Sequence, residues 1–161
     1  MTVDELTTYG MERMDDDEVE AFLSSRGMGV LGFPDEDRPY LLPMSYGYDG
    51  GPRLYFFYVL GDSSRKEALS RRAETASFLV YSAETMYNWR SVQLAGTIRP
   101  VPDDERASLR DRQTPSWRPE LFETASETER TGLYEFRIEE WTGLKQTGLP
   151  PGFYGRSGEE Q

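Results

Sequence analysis

Three short stretches of this chain carry side chains able to hold a ligand. Ser63-Ser64-Arg65-Lys66 follows the apolar run Leu54 to Leu60 and precedes Glu67-Ala68-Leu69, so it reads as a loop that opens a helix. With Ser64 as N-cap, Arg65 and Lys66 fall in the first turn, where each positive charge opposes the helix macrodipole by about 0.3–1 kcal/mol. A bound anion removes that conflict, because it accepts hydrogen bonds from the free N–H groups, the hydroxyls and both cations. The plainer reading is a solvated basic turn. In Leu42-Pro43-Met44-Ser45-Tyr46 a proline interrupts a strand pattern. Backbone groups released from the ladder there either face the edge of a planar heterocycle or mark a bulged edge strand in water. Trp89-Arg90-Ser91 sets a guanidinium and a hydroxyl beside a large aromatic at the start of a strand. Its plainer reading is a surface arginine packed on tryptophan.

The elements that must position these groups follow from the patterning. Residues 1–13 are polar and unpatterned and read as an N-terminal arm. A helix is expected over Met14–Gly27, with Asp15 as N-cap, Glu18 completing a capping box, Met14 stapled to Val19, and Gly27 as the stop. Val19, Phe22 and Leu23 form its apolar stripe. The period then becomes extended. Strands are expected at Met28–Phe33 and Tyr40–Tyr48, joined by a loop over residues 34–39, and at Leu54–Leu60 after the tight Asp49-Gly50-Gly51-Pro52 connection. Further strands are expected at Ser77–Tyr81, at Trp89–Val101 with Gly96 as a bulge or kink, and at Leu133–Glu139. Pro102–Arg112 patterns as a helix with an acidic first turn. Residues 113–130 are ambiguous, and 147–161 read as a loose C-terminal tail. Six strands with a few short helices and no regular βαβ alternation give a fold that is mainly β with α. The expectation is a six-stranded antiparallel barrel with short helices at its ends, one domain over residues 14–146.

Composition excludes several functions. The chain has 161 residues, enough for one packed core without disulfides or metals. Its formal charge of -11 comes with no basic stripe, which argues against nucleic acid and anionic membranes as partners. No run approaches the roughly 18 apolar residues of a membrane helix and the N-terminus has no signal pattern, so the expected location is the cytoplasm. Lys66 and Lys145 are the two lysines, against sixteen arginines. This acidic, lysine-poor balance resembles halophilic proteins, in whose high-salt cytoplasms the self-repulsion of an acidic surface is screened. There is no Cys and no His. A thiolate nucleophile, a Cys/His zinc site, a Ser-His-Asp triad and a histidine haem ligand are therefore all out of reach. Chemistry must come from a cofactor or from carboxylates, and no metal site is expected.

Taken together and in this order, Pro43-Met44-Ser45-Tyr46, Ser64-Arg65-Lys66 and Arg90-Ser91-Val92-Gln93-Leu94-Ala95-Gly96-Thr97-Ile98 resemble the FMN-binding split barrels of the pyridoxamine 5'-phosphate oxidase-like superfamily, over about residues 15–140. The resemblance implies a split β-barrel that binds FMN between two subunits of a homodimer. It implies that Pro43, Met44, Ser45 and Tyr46 lie along the flavin ring and ribityl chain. Ser64, Arg65 and Lys66 would grip the FMN phosphate, Tyr58 would reach the ribityl chain or phosphate, and Arg90 and Ser91 would approach the phosphate or ring. The partner subunit would cover part of the Leu54–Leu60 strand. The departures are equally specific. The C-terminus lacks the Arg-and-His segment with which the true oxidase holds its phosphorylated substrate, so vitamin B6 biosynthesis is not expected. Ser91 stands where that enzyme carries a longer amide side chain. The function implied is an FMN-dependent oxidoreductase acting on a small molecule, with NADH or NADPH as a candidate donor. A flavin or deazaflavin carrier of the same fold is the alternative, and an oligonucleotide-binding small barrel the more distant one, since the charge provides no electrostatic funnel.

Overall fold

The alternating strands assemble into one antiparallel sheet. The computed structural model describes residues 2–59, 68–70, 75–109 and 131–152. In chain order the elements are α1 (Val3–Thr8), β1 (Met11–Arg13), α2 (Asp16–Ser25), β2 (Met28–Asp35), β3 (Arg38–Ser45), β4 (Gly47–Tyr48), β5 (Arg53–Val59), β6 (Ala76–Thr85), β7 (Asn88–Pro100), α3 (Asp103–Leu109) and β8 (Thr131–Thr147). The strands follow the order β3-β2-β6-β7-β8-β5-β4, and β1 pairs with β8 off this path. The two ends of the path are consecutive in the chain, because only Tyr46 separates β3 from β4. The stretch 38–48 therefore belongs to both ends of the sheet and curls it round. Among the described residues no ladder joins β3 to β5, so the barrel is split rather than closed.

Among the described residues eight strands form where six were expected. β1 has only three residues, too few to show an alternation, yet it pairs Met11, Glu12 and Arg13 with Gln146, Lys145 and Leu144. With α1, whose Thr2 and Glu5 form a capping box, it gives residues 2–13 a defined structure where the pattern suggested an arm. The expected 34–39 loop is mostly strand: Pro34 lies opposite Pro39, and the chain reverses at Glu36 and Asp37, with Glu36 at φ 52°. β8 continues well past Glu139, through Gly143, to Thr147. Its second half is polar because its neighbours there are β1 and α2, not the barrel interior. Gly96 does mark a bulge. Ala95 pairs with Glu140 but Gly96 with Ile138, which leaves Glu139 as the extra residue, and a Cβ at position 96 would run into the Arg137 carbonyl.

Over Leu54–Phe57, β5 packs on both faces against its own chain. Leu54 and Phe56 point into the barrel core with Leu31, Phe33, Phe78, Val80, Val92, Leu94 and Phe136. Phe56 sits 5.0 Å from Phe78 and 6.3 Å from Phe136 between ring centroids. Tyr55 and Phe57 face the other way into a second cluster with Val101, Leu109 and Leu133. The expected wall between core and partner subunit is thus, over Leu54–Phe57, a wall between two cores of one chain. α3 closes the second of them, and a chain of ion pairs lies beside it. Buried Glu135 meets Arg99 at 3.1 Å and Arg53 at 3.6 Å, and Arg99 reaches Glu105 of α3 at 3.0 Å.

α2 begins and ends differently from its sequence pattern. Asp15 caps it, accepting from the Glu18 N–H at 2.8 Å. The Glu18 carboxylate is directed to Lys145 of β8, at 2.5 Å, where the pattern suggested a reciprocal cap. Trp141 donates to Asp16 at 2.8 Å, and Met14 and Val19 press on Gly143, where a Cβ would meet both at 2.8 Å. Three points of contact therefore fix α2 on β8. At the other end the helix passes through Arg26, in extended conformation, without a left-handed glycine, and the Gly27 carbonyl accepts from the Tyr46 N–H at 2.9 Å.

Candidate functional site

The alternation of β3 separates the four residues Pro43, Met44, Ser45 and Tyr46 into two groups. Met44 and Tyr46 turn inward and are buried, at 7% and 2% exposure. The Tyr46 ring meets Phe78 edge-on at 5.4 Å, and its hydroxyl donates to the Leu23 carbonyl at 2.7 Å, near the end of α2. Burial pushes that hydroxyl well above the ordinary tyrosine range. The Met44 and Tyr46 side chains are therefore core, and what these two residues offer a ligand is backbone. Pro43 and Ser45 are exposed on the outer face.

The same outer face carries Ser91. Tyr81 pairs with Ser91, Leu79 with Gln93 and Val30, and Val30 with Pro43, so the row crosses β3, β2, β6 and β7. Two adjoining depressions lie on it. One, of about 510 Å³, is lined by Val30, Leu41, Ser77, Leu79, Gln93 and Thr142 among others. The other, of about 370 Å³, is lined by Leu79, Tyr81, Trp89, Arg90, Ser91 and Gln93 together with Ser82 and Ala83. Both volumes fall in the range of about 300–1,000 Å³ typical of small-molecule sites, and both combine apolar walls with a few polar groups. Arg90 is exposed and makes no cation–π contact with Trp89. Among the described residues the guanidinium found over a ring is Arg26, 5.3 Å from the Phe22 centroid.

The remaining candidates lie elsewhere. The Tyr58 backbone pairs with Gly132, whereas Arg90 pairs with Lys145, thirteen residues further along β8. At about 3.3 Å per residue that is about 43 Å measured along β8. Tyr58 instead belongs to the split. Gly47 pairs with Tyr55 and Tyr48 with Leu54, so continuing that register sets the end of β5 toward Pro43 and Met44 across the gap where the ladder stops. Ser64, Arg65 and Lys66 lie outside the described residues. The chain beyond them is helical at residues 68–70, with Leu69 buried in the barrel core. One subunit thus presents two groups, residues 43–46 with Tyr58 at the split, and Ser91 on the outer face that it shares with Pro43 and Ser45; Arg90, with the parity of buried Val92 and opposite Lys145, lies on the other face of β7. Tyr81 and Gln93 join Ser91 on the outer face. Sequence reasoning missed both as site candidates, although the alternation of Val92 and Leu94 with Ser91 and Gln93 carries the signal for Gln93.

The sequence model of the family described as pyridoxamine 5'-phosphate oxidase matches residues 15–145, and so spans both groups. The chain belongs to this family. Solved structures agree on the fold. An FAD-binding protein from Mesorhizobium loti superposes with TM-score 0.69 at 21% identity, over 86% of this chain and 98% of that one. The FAD-binding protein of Mycobacterium smegmatis gives TM-score 0.62 at 14% identity, over 84% and 99%. A flavocytochrome from Azotobacter vinelandii gives 0.65 at 22%, over 88% and 72%. No match was found among curated protein sequences. As a member of the pyridoxamine 5'-phosphate oxidase family, the chain keeps the split barrel while carrying no histidine anywhere in its 161 residues. No helix among the described residues is long and apolar enough to cross a membrane.

Proposed function

We propose that this protein is a cytoplasmic, salt-adapted FMN-binding flavoprotein, a homodimeric oxidoreductase that passes hydride or electrons through FMN to a small molecule. The observation that carries the reading is the family match over residues 15–145, which runs through all three candidate segments. The proteins from Mesorhizobium loti and Mycobacterium smegmatis, named as FAD-binding, support a flavin as the ligand class. Pro43, Ser45, the backbone of Met44 and Tyr46, and Tyr58 would flank the flavin at the split. Ser64, Arg65 and Lys66 would hold its phosphate, and Arg90 and Ser91 would come from the partner subunit. The outer face, where Met28 and Leu41 are 60% and 63% exposed beside Val30, supports a site shared between subunits. FMN supplies the redox chemistry when bound, and the protein binds, orients and shields it. Histidine-ligated haem is not part of the proposal.

The carrier reading, with flavin or a deazaflavin held without turnover, is favoured by one observation. Apart from Tyr81, the titratable side chains lining the two depressions are Glu140 and Arg90, which gives little acid–base machinery. Purification separates the possibilities. A yellow protein that releases FMN supports flavin binding, and a colourless one that ignores added FMN refutes it. Reduction of the bound flavin by NADH or NADPH, followed by turnover with an acceptor, divides enzyme from carrier. R65A/K66A is expected to weaken FMN binding more than riboflavin binding, and equal losses for both ligands would contradict the phosphate role.

A further inference from the structure

The side of β8 turned away from β7 has a gap in its ladder. β5 pairs along that side as far as Arg53 opposite Arg137, and one further bond runs from the Ile138 N–H to the Pro52 carbonyl at 2.7 Å. β1 takes up the same side with Arg13 opposite Leu144, next to a bond from the Met14 N–H to the Gly143 carbonyl at 2.9 Å. Among the described residues no strand covers residues 139–142 between them. Backbone groups alternate in direction along a strand, so Trp141, two residues before Gly143, turns its N–H and its carbonyl into this gap. Neither has a hydrogen-bond partner there among the described residues. A cavity of about 430 Å³ lies at the gap, lined by Pro52, Ile138 and Trp141 and by the carboxylates of Glu20, Glu139 and Glu140. No Lys or Arg lines it, and among the described residues these three carboxylates take part in no ion pair or hydrogen bond. No three acidic groups among the described residues converge closely enough to hold a metal ion.

We propose that this notch binds an arginine side chain carried on an extended peptide segment of a partner protein. Its acceptors, three carboxylates and the Trp141 carbonyl, are spread around a cavity too open for a bare ion. A guanidinium answers that spread with five N–H donors in a planar fork. It is also less strongly hydrated than an ammonium, and its flat face and methylene stem suit the apolar wall of Pro52, Ile138 and Trp141. The Trp141 N–H requires an acceptor, which a guanidinium lacks. The backbone carbonyl of a peptide supplies one, in the manner of a strand added to an open sheet edge. Residues 139–142 span about 13 Å of strand, so the added pairing is short and the arginine sets the specificity. The net charge of -11 draws basic segments toward the chain. Glu140 also borders the larger depression of the outer face, whereas Glu20 and Glu139 do not, and the inference stands independently of the flavin reading.

The test is calorimetric titration of the full chain with the capped tripeptides acetyl-Gly-Arg-Gly-amide and acetyl-Gly-Lys-Gly-amide, with agmatine and with FMN, in wild type, E20Q, E139Q and D104N. The arginine peptide is expected to bind about ten-fold more tightly than the lysine peptide or agmatine. E20Q and E139Q are each expected to weaken it about ten-fold, the loss of one charge-assisted hydrogen bond, while FMN affinity stays unchanged. Both exchange exposed side chains, so folding is not at stake. D104N, on exposed α3 away from the notch, is expected to change nothing. In NMR spectra the Trp141 backbone amide is expected to shift on addition of the arginine peptide. Absence of arginine-peptide binding while FMN binds overturns this proposal alone. Peptide binding without FMN binding overturns the flavin reading and leaves the notch standing. Equal affinity for the arginine and lysine peptides, or a loss in D104N as large as in E139Q, overturns the proposal in favour of diffuse attraction to an acidic surface. Agmatine binding as tightly as the peptide, or an unmoved Trp141 amide, overturns the peptide as the carrier of the guanidinium.

Discussion

Tyr46→Phe separates core from ligand roles at a residue that the sequence places in the flavin site. The substitution keeps the ring, and with it the 5.4 Å edge-on contact with Phe78, so it opens no cavity. It removes the hydroxyl that donates to the Leu23 carbonyl at 2.7 Å. That carbonyl lies in the last turn of α2, where carbonyls lack intrahelical partners, so it is left buried without its donor. Leaving one buried acceptor unsatisfied costs about 1–3 kcal/mol, and a surface tyrosine would cost less than about 0.5 kcal/mol. For a chain of this size about 1.5 kcal/mol corresponds to a fall in Tm of about 3–6 °C. Thermal unfolding of the apoprotein measures the shift, and titration with FMN measures the ligand. The expected outcome is a lower Tm with FMN affinity within about two-fold of wild type. An unchanged Tm with FMN affinity lost ten-fold or more would refute the reasoning, since the hydroxyl would then face the ligand.

Three further outcomes follow from the same geometry. G96A is expected to cost more than about 2 kcal/mol in urea unfolding, because its methyl group has nowhere to go but the Arg137 carbonyl; a loss below 0.5 kcal/mol would show that the bulge shifts freely. Burial, then Glu20 and Asp49, push the Tyr48 hydroxyl up to about 12 from an ordinary 10. The unfolded chain therefore releases this proton first, so stability is full below pH 10 and falls as pH rises toward 12, and Y48F should flatten that fall in alkaline unfolding curves. The Glu18–Lys145 pair is partly exposed, so E18Q should cost at most about 1 kcal/mol at low salt and less in molar KCl. Over the same salt range the wild-type Tm should rise as the -11 charge is screened; a falling Tm would contradict the salt-adapted reading.

The fold was legible wherever a strand has one wet face or two dry ones. Val92, Leu94 and Ile98 mark β7 by alternation, the run from Leu54 marks β5 as buried on both sides, and Gly96 marks the bulge. Illegible were pieces whose identity depends on a distant neighbour. β1 is a strand because β8 lies beside it, and the polar half of β8 is a strand because β1 and α2 cover it. Pro34 and Pro39 read as loop residues because proline usually breaks a ladder, yet here they face each other at the end of a hairpin. In the site, the order of motifs identified the family, while side-chain direction was lost at Met44 and Tyr46. The proline hid the strand parity that turns both inward. The covering of Tyr55 and Phe57 by Val101, Leu109 and Leu133 was equally invisible, because those residues come from α3, β8 and the link between β7 and α3.

The central claim is that each flavin is held by two chains, one giving Arg65 and Lys66 and the other Arg90 and Ser91. The most direct measurement is FMN binding by a heterodimer co-expressed from two differently tagged variants, R65A/K66A and R90A/S91A, and isolated through both tags. Each variant alone should bind FMN poorly, and the heterodimer should recover one tight site per pair of chains, because symmetry leaves one of its two sites intact. A heterodimer that binds no better than either variant alone, or an R90A/S91A protein that keeps full affinity, would contradict the account.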